Sequence, residues 1–166
     1  KGIIPAFEAL GTSADTKIRF VHYFMHGDKE EQETYTQVCI REEQSAKFLT
    51  YLKCFLEDSD SARCLKNASI DSAKLATCID TKAKDYYKID SDLSNKYGVQ
   101  GSPTLIINGA ESNAGRNSAS YLTGICAAFN KEPSACTEDL SSANPSPGFG
   151  YGAGSATAPA AGCASA

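Results

Sequence analysis

Seven cysteines and two histidines carry most of the reactive chemistry this sequence could support: Cys39, Cys54, Cys64, Cys78, Cys126, Cys136 and Cys163, with His22 and His26. No two cysteines stand in a Cys-x-x-Cys spacing. Only the two histidines could add nitrogen ligands, so the pattern argues against a zinc site and no metal or other cofactor is expected. Thiol–disulfide exchange needs a thiolate of low pKa and a nearby resolving cysteine, and no pair here fits those roles. A Cys/His hydrolase could draw on one cysteine with His22 or His26, but nothing marks a nucleophile elbow or an oxyanion turn. Phosphate-loop and dinucleotide fingerprints are absent too. Structural disulfides in an oxidising compartment are the better reading, which places the chain in a secreted, periplasmic or extracellular setting. Because the count is odd, at least one thiol is free or pairs with another chain. Asn67-Ala68-Ser69 fits the glycosylation sequon, a triplet that also arises by chance.

A second stretch carries chemistry of position. In Gly98-Val99-Gln100-Gly101-Ser102-Pro103-Thr104-Leu105-Ile106-Ile107-Asn108-Gly109, a proline opens a β-branched, apolar run that ends in a turn dipeptide. That reads as a short buried strand, 104–107, with Pro103 at its start, where a missing N–H breaks no ladder bond. The Gly-Ser-Pro-Thr run followed by an apolar strand and Asn-Gly resembles the cis-proline loop of thioredoxin-like proteins. In that family the loop faces a Cys-x-x-Cys centre. The resemblance implies a cis Ser102–Pro103 bond. It also implies that Ser102, framed by Gly101 and Pro103, offers its backbone to an extended peptide substrate.

Other elements must hold that loop. Ile3, Ile4, Phe7 and Leu10 have helical spacing around Pro5, and Gly11 is a natural stop. Thr16 to Met25 is β-branched and aromatic throughout and predicts a strand that ends at His26-Gly27. His26 could lie beside a site there, or be a half-exposed histidine before a glycine turn. The acidic stretch Asp28–Glu43 reads as a solvated helix face. Residues 44–57 predict an amphipathic helix, broken at 58–61. A further helix follows from Asp71 or Ser72, and another runs to Tyr97 and stops at Gly98. After a weak partner strand near 110–115, a helix capped at Asn117 or Ser118 runs to Phe129.

The order of a strand ending in His-Gly, cysteine-bearing helices, a proline-initiated strand and Asn-Gly is similar to DsbA-like proteins. There a helical domain is inserted in a thioredoxin fold. The order of His-Gly, Cys39, Cys54, Cys64, Cys78 and Asn108-Gly109 also resembles the gamma-interferon-inducible lysosomal thiol reductase. The likeness spans about residues 1–130. It implies an α/β fold: a thioredoxin-like sheet lacking its first strand, with an inserted, disulfide-linked helical domain. The expected division is 1–27 with 98–130 for the thioredoxin-like part and 28–97 for the insertion. A disulfide-tied extension follows at 131–147, and a flexible Gly/Ala/Ser-rich tail at 148–166. The opening helix would continue one that carries the redox pair, which places that pair upstream of Lys1.

Pairing of the cysteines follows from the expected helices. If 44–57 and 71–82 form an antiparallel hairpin, Cys54 and Cys64 lie at its turn end and Cys39 and Cys78 at its open end. Crossed links would then have to join cysteines from opposite ends, farther apart than the ~7 Å a disulfide spans. Cys39–Cys78, Cys54–Cys64 and a local Cys126–Cys136 are expected. Cys163 remains in the tail, a free or intermolecular thiol.

The chain has 166 residues, 42% of them hydrophobic, enough for a domain of ordinary size, and a net charge of −4. No basic stripe suggests nucleic acid, and no apolar run approaches the ~20 residues of a membrane span. Two readings of function follow. One is the C-terminal part of a secreted thiol–disulfide oxidoreductase acting on protein or peptide thiols and disulfides, with its redox cysteines upstream; this chain alone would be inactive. The other is a secreted, non-catalytic binding or assembly module. In either case the strand at 16–25 and the strand at 104–107 face a gap, because the thioredoxin fold places a strand between them. An upstream segment is ranked first to fill it. A strand from a neighbouring chain comes second, and direct pairing of the two strands third.

Overall fold

A computed structural model describes residues 1–151 of the chain. Over these residues the protein is mixed α/β and mostly helical, with seven α-helices and one two-stranded antiparallel sheet. It divides into two compact units, Lys17–Glu111 and Lys1–Thr16 with the residues from Ser112 on. The segment after Lys17 and the Pro103 loop therefore cluster with the cysteine-bearing helices.

The larger unit is built around α2 (Asp28–Glu43). Asp28, Glu30 and Glu31 lie in its first turn, where acidic groups oppose the positive end of the helix dipole. The Glu30 carboxylate also reaches back to accept the Met25 and His26 N–H groups, each at 2.7 Å. The second half of α2 is not the solvated face the acidic stretch suggests. Thr34, Gln37, Val38, Cys39, Ile40 and Arg41 are buried, because α2 packs against α3 (Ser45–Asp58), α5 (Ser72–Thr81) and α6 (Ala83–Lys96) at once. Truncating a core side chain such as Ile40 to alanine would cost about 2–5 kcal/mol.

Short polar caps set the remaining boundaries. Asp60 accepts from the Arg63 N–H at the start of α4 (Ser61–Asn67), and Asp71 from the Ala73 and Lys74 N–H groups at the start of α5. At the end of α6, Gly98 takes φ +62, a conformation that costs glycine little. β1 (Leu105–Ile107) and β2 (Ala110–Ser112) form a hairpin across Asn108-Gly109, whose φ values of 49 and 87 suit a two-residue turn.

Thr16 to Met25 does not form a strand. Its composition is strand-like, but among the described residues no strand pairs with it, and the sheet is the β1–β2 hairpin alone. Direct pairing of 16–25 with 104–107 is thus excluded. The expected hairpin of 44–57 on 71–82 also needs correction: α3 packs on α2 and α4, while α5 packs on α2 and α6. The common neighbour α2 organises them. The Gln44 side chain joins the starts of the two helices, donating to the Asp71 carbonyl at 3.2 Å and accepting from the Asp71 N–H at 2.9 Å.

In the smaller unit α1 (Ile3–Leu10) packs against α7 (Ser118–Cys126) and the 3-10 turn Ser134–Thr137. Pro5 sits in the first turn of α1, where a missing N–H removes no intrahelical bond. Ile4, Ala6, Leu10, Tyr121, Leu122 and Ile125 form the core. Gly2 is required by close approach, since a Cβ there would lie 2.1 Å from the Arg116 carbonyl oxygen. The Asn117 side chain caps α7 by accepting from the Ser120 N–H at 2.8 Å. α7 ends at Cys126, short of the expected Phe129, in a turn where the Phe129 N–H returns to the Cys126 carbonyl at 3.1 Å.

Candidate functional site

The Gly98–Thr104 loop leaves α6 and turns into β1. Its fold is set by local hydrogen bonds. Thr104 Oγ1 donates to the Gly101 carbonyl at 2.7 Å, and Gln100 Nε2 to the Gly98 carbonyl at 3.3 Å. The Tyr23 hydroxyl reaches the Gln100 carbonyl at 3.4 Å. The Ser102–Pro103 peptide bond is cis. Ser102 and Pro103 are exposed, Gly101 is half-buried, and Leu105, Ile106 and Ile107 behind them are all half-buried.

Residues 17–24 form no regular element and are held by side chains instead of a partner strand. The Asp90 carboxylate accepts the Phe20 N–H at 3.0 Å, Arg41 donates to the Ile18 carbonyl at 2.7 Å, and the Tyr87 hydroxyl donates to the Val21 carbonyl at 3.0 Å. These helices thereby satisfy backbone groups that a sheet neighbour would otherwise meet. Asp90 is also the anchor of an ion-pair cluster. Arg41 grips both of its oxygens, at 2.6 and 3.1 Å, and Arg19 donates to it at 2.6 Å. Phe24 stacks on Tyr87 with ring centroids 4.9 Å apart, and Tyr35 meets both edge-on. Burial pushes the Tyr35 hydroxyl up to about 12, helped by its bond to Glu31.

The histidines take separate roles. His22 Nδ1 lies 2.9 Å from the hydroxyl of the buried Ser94 on α6. His26 has a side chain 75% exposed and pairs with Glu30 at 3.2 Å, as a histidine before a glycine turn. Among the described residues neither is hydrogen-bonded to a cysteine sulfur.

Cys39–Cys78, Cys54–Cys64 and Cys126–Cys136 are disulfides. The first ties α5 to α2, the second joins α3 to α4, and the third fastens the Ser134–Thr137 turn to α7. All six are consumed, so among the described residues no cysteine is available as a nucleophile. Cys163, and with it most of the expected 148–166 tail, lies outside the described residues. Among the described residues no cluster of histidine, cysteine and carboxylate side chains could hold a metal ion, and no helix is long and apolar enough to cross a membrane.

Sequence reasoning missed the polar groups inside the larger unit. Asp90 and Arg41 are 1% and 5% exposed. Glu33 accepts from Gln37 and Tyr51, each at 2.8 Å. Burial holds the Glu33 carboxyl above its ordinary range, although hydrogen bonds from Gln37, Tyr51 and Ser61 pull the other way. Burial pushes Glu42 up too, but there the bonds from Lys17 and Arg41 win and the carboxyl sits low. A signal was present: Ala83, Asp90 and Ser94 lie on the one buried face of α6.

Compared with family models, curated proteins and solved structures, this chain matches none.

Proposed function

We propose that this chain is the peptide-docking part of a thiol–disulfide oxidoreductase of DsbA-like type, with the reacting cysteines carried on a segment preceding Lys1. The observation that carries this reading is the exposed Ser102–Pro103 loop, braced by Thr104 and Tyr23, in a chain whose described cysteines are all tied up in disulfides.

Positioning runs from helices to loop. Arg41 on α2 and Asp90 on α6 fix Ile18 and Phe20. Tyr23, three residues beyond Phe20, then supports the Gln100 carbonyl just before Gly101. An extended peptide lies along the loop and pairs with the Ser102 backbone, in the manner of an added strand. A thiolate of the preceding segment attacks one sulfur of the peptide's disulfide. A mixed disulfide forms and the other peptide sulfur leaves as a thiolate. The second cysteine of the pair then attacks the mixed disulfide, so the peptide departs reduced and the enzyme pair is left oxidised. An external dithiol reductant returns the pair to its starting state.

A second reading, a non-catalytic binding or assembly module, draws on residues 17–24. That segment is strand-like in composition yet has no strand partner among the described residues. A strand from another chain would complete it.

Nuclear magnetic resonance titration with an unfolded peptide whose cysteine is capped as a mixed disulfide tests the docking site. Shifts in the amides of Gly101, Ser102 and Thr104 are expected. Shifts confined to residues 17–24 would favour the second reading, and an unperturbed spectrum would count against both.

A further inference from the structure

We propose that Asn67 is an N-glycosylation site, accepting an oligosaccharide from a lipid-diphosphate-linked donor. The acceptor rule is Asn-x-Ser/Thr with x other than proline. Asn67-Ala68-Ser69 is the one triplet in the sequence that satisfies it. Asn144-Pro145-Ser146 has the same ends and is barred by its proline, while Asn95, Asn108, Asn113, Asn117 and Asn130 lack the hydroxyl residue two places on.

The structure places this triplet where a glycan fits. Asn67 is the last residue of α4. The turn that follows is closed by backbone bonds from Ala68 to Cys64 at 2.9 Å, Ser69 to Lys66 at 3.0 Å and Ile70 to Leu65 at 2.9 Å. Burial alternates through it: Asn67 and Ser69 are exposed, while Ala68 between them is 7% exposed and anchors the turn. Lys47 binds the Ser69 carbonyl and Gln44 binds Asp71, so the turn is held from the α3 side as well. Neither the Asn67 amide nor the Ser69 hydroxyl has a hydrogen-bond partner among the described residues. A glycan on Asn67 therefore displaces no contact, and it would sit as a bulky polar group at the surface. Three disulfides fit an oxidising compartment, where this modification takes place.

In the step itself, Asn67 Nδ2 bonds to the anomeric carbon of the donor sugar. The bond from that carbon to the phosphate oxygen breaks, and the lipid diphosphate leaves with the electron pair. The amide proton passes to a base of the transferase. The chain supplies the acceptor and the hydroxyl, and nothing is oxidised or reduced.

Secretion of the full chain from a eukaryotic host, followed by intact-mass measurement before and after peptide-N-glycosidase, tests the assignment. The wild type should carry one glycan, lost on enzyme treatment with conversion of Asn67 to aspartate in the peptide map. Asn67→Gln and Ser69→Ala should each lack it, and Ser69→Thr should retain it. Ser69→Ala keeps the acceptor side chain, so it remains informative if Asn67→Gln secretes poorly. A wild type of unmodified mass, or a glycan that persists in Asn67→Gln, would overturn the proposal.

Discussion

Arg41 on α2 and Asp90 on α6 meet as a two-pronged ion pair, at 2.6 and 3.1 Å, inside the larger unit. The same two side chains hold the backbone of Ile18 and Phe20. Breaking a buried pair from one side leaves the other charge uncompensated, which costs about 3–5 kcal/mol. Asp90→Ala should lower the unfolding free energy by that amount in denaturant titration. It should also expose the amide of Phe20 to hydrogen exchange. A loss below about 1 kcal/mol, as for a surface pair, would show that Asp90 does not clamp this segment.

The disulfides should rank by the loop each closes. Cys39–Cys78 spans 39 residues of separation and Cys54–Cys64 spans 10. Chain entropy alone gives about 4 kcal/mol for the first and about 3 kcal/mol for the second. Paired Cys→Ala variants, unfolded in guanidinium under non-reducing conditions, should show the larger loss for Cys39 with Cys78. Equal losses, or the reverse order, would mean that packing at α2 and α5 outweighs the cross-link.

Glu33 gives a pH dependence of known sign. Burial raises its folded pKa above the ordinary value, so the native state holds this proton more tightly than the unfolded chain. The stability this protonation contributes is full below the ordinary carboxylate range, and it is lost as pH rises through the raised value. Carboxylates held low, such as Glu42 and Glu43, act in the opposite sense and lose their contribution on acidification. They are common to wild type and Glu33→Gln, so the difference between the two proteins isolates Glu33. That difference should move against the wild type as pH rises across the window. A flat difference, or one favouring the wild type at higher pH, would contradict the assignment.

Much of the helical part was legible because caps and periodicity agree. Asp71, Gly98 and Asn117 mark boundaries by chemistry that needs no tertiary partner. Cysteine pairing was legible as well, although the common helix α2, and not a hairpin of 44–57 on 71–82, brings Cys39 to Cys78. What the sequence hid depends on contacts distant along the chain. Residues 16–25 have every local mark of a strand, yet strand formation needs a neighbour, and here Asp90, Arg41 and Tyr87 take the backbone groups instead. Gly101, Ser102 and Pro103, the proposed docking residues, stand out in the sequence only through a resemblance. The side chains that brace them, Tyr23 and the Arg41–Asp90 pair behind it, became visible only once the helices were assembled.

We propose that the Ser102–Pro103 loop docks a peptide for thiol–disulfide exchange. The most direct measurement is turnover of a disulfide-bridged fluorescent peptide, with an external dithiol reductant, by the full-length natural protein. Exchange is predicted for that protein, with Pro103→Ala lowering kcat/KM about tenfold, the equivalent of ~1.4 kcal/mol of lost transition-state binding. Peptide binding without exchange, or exchange indifferent to Pro103→Ala, would contradict the account.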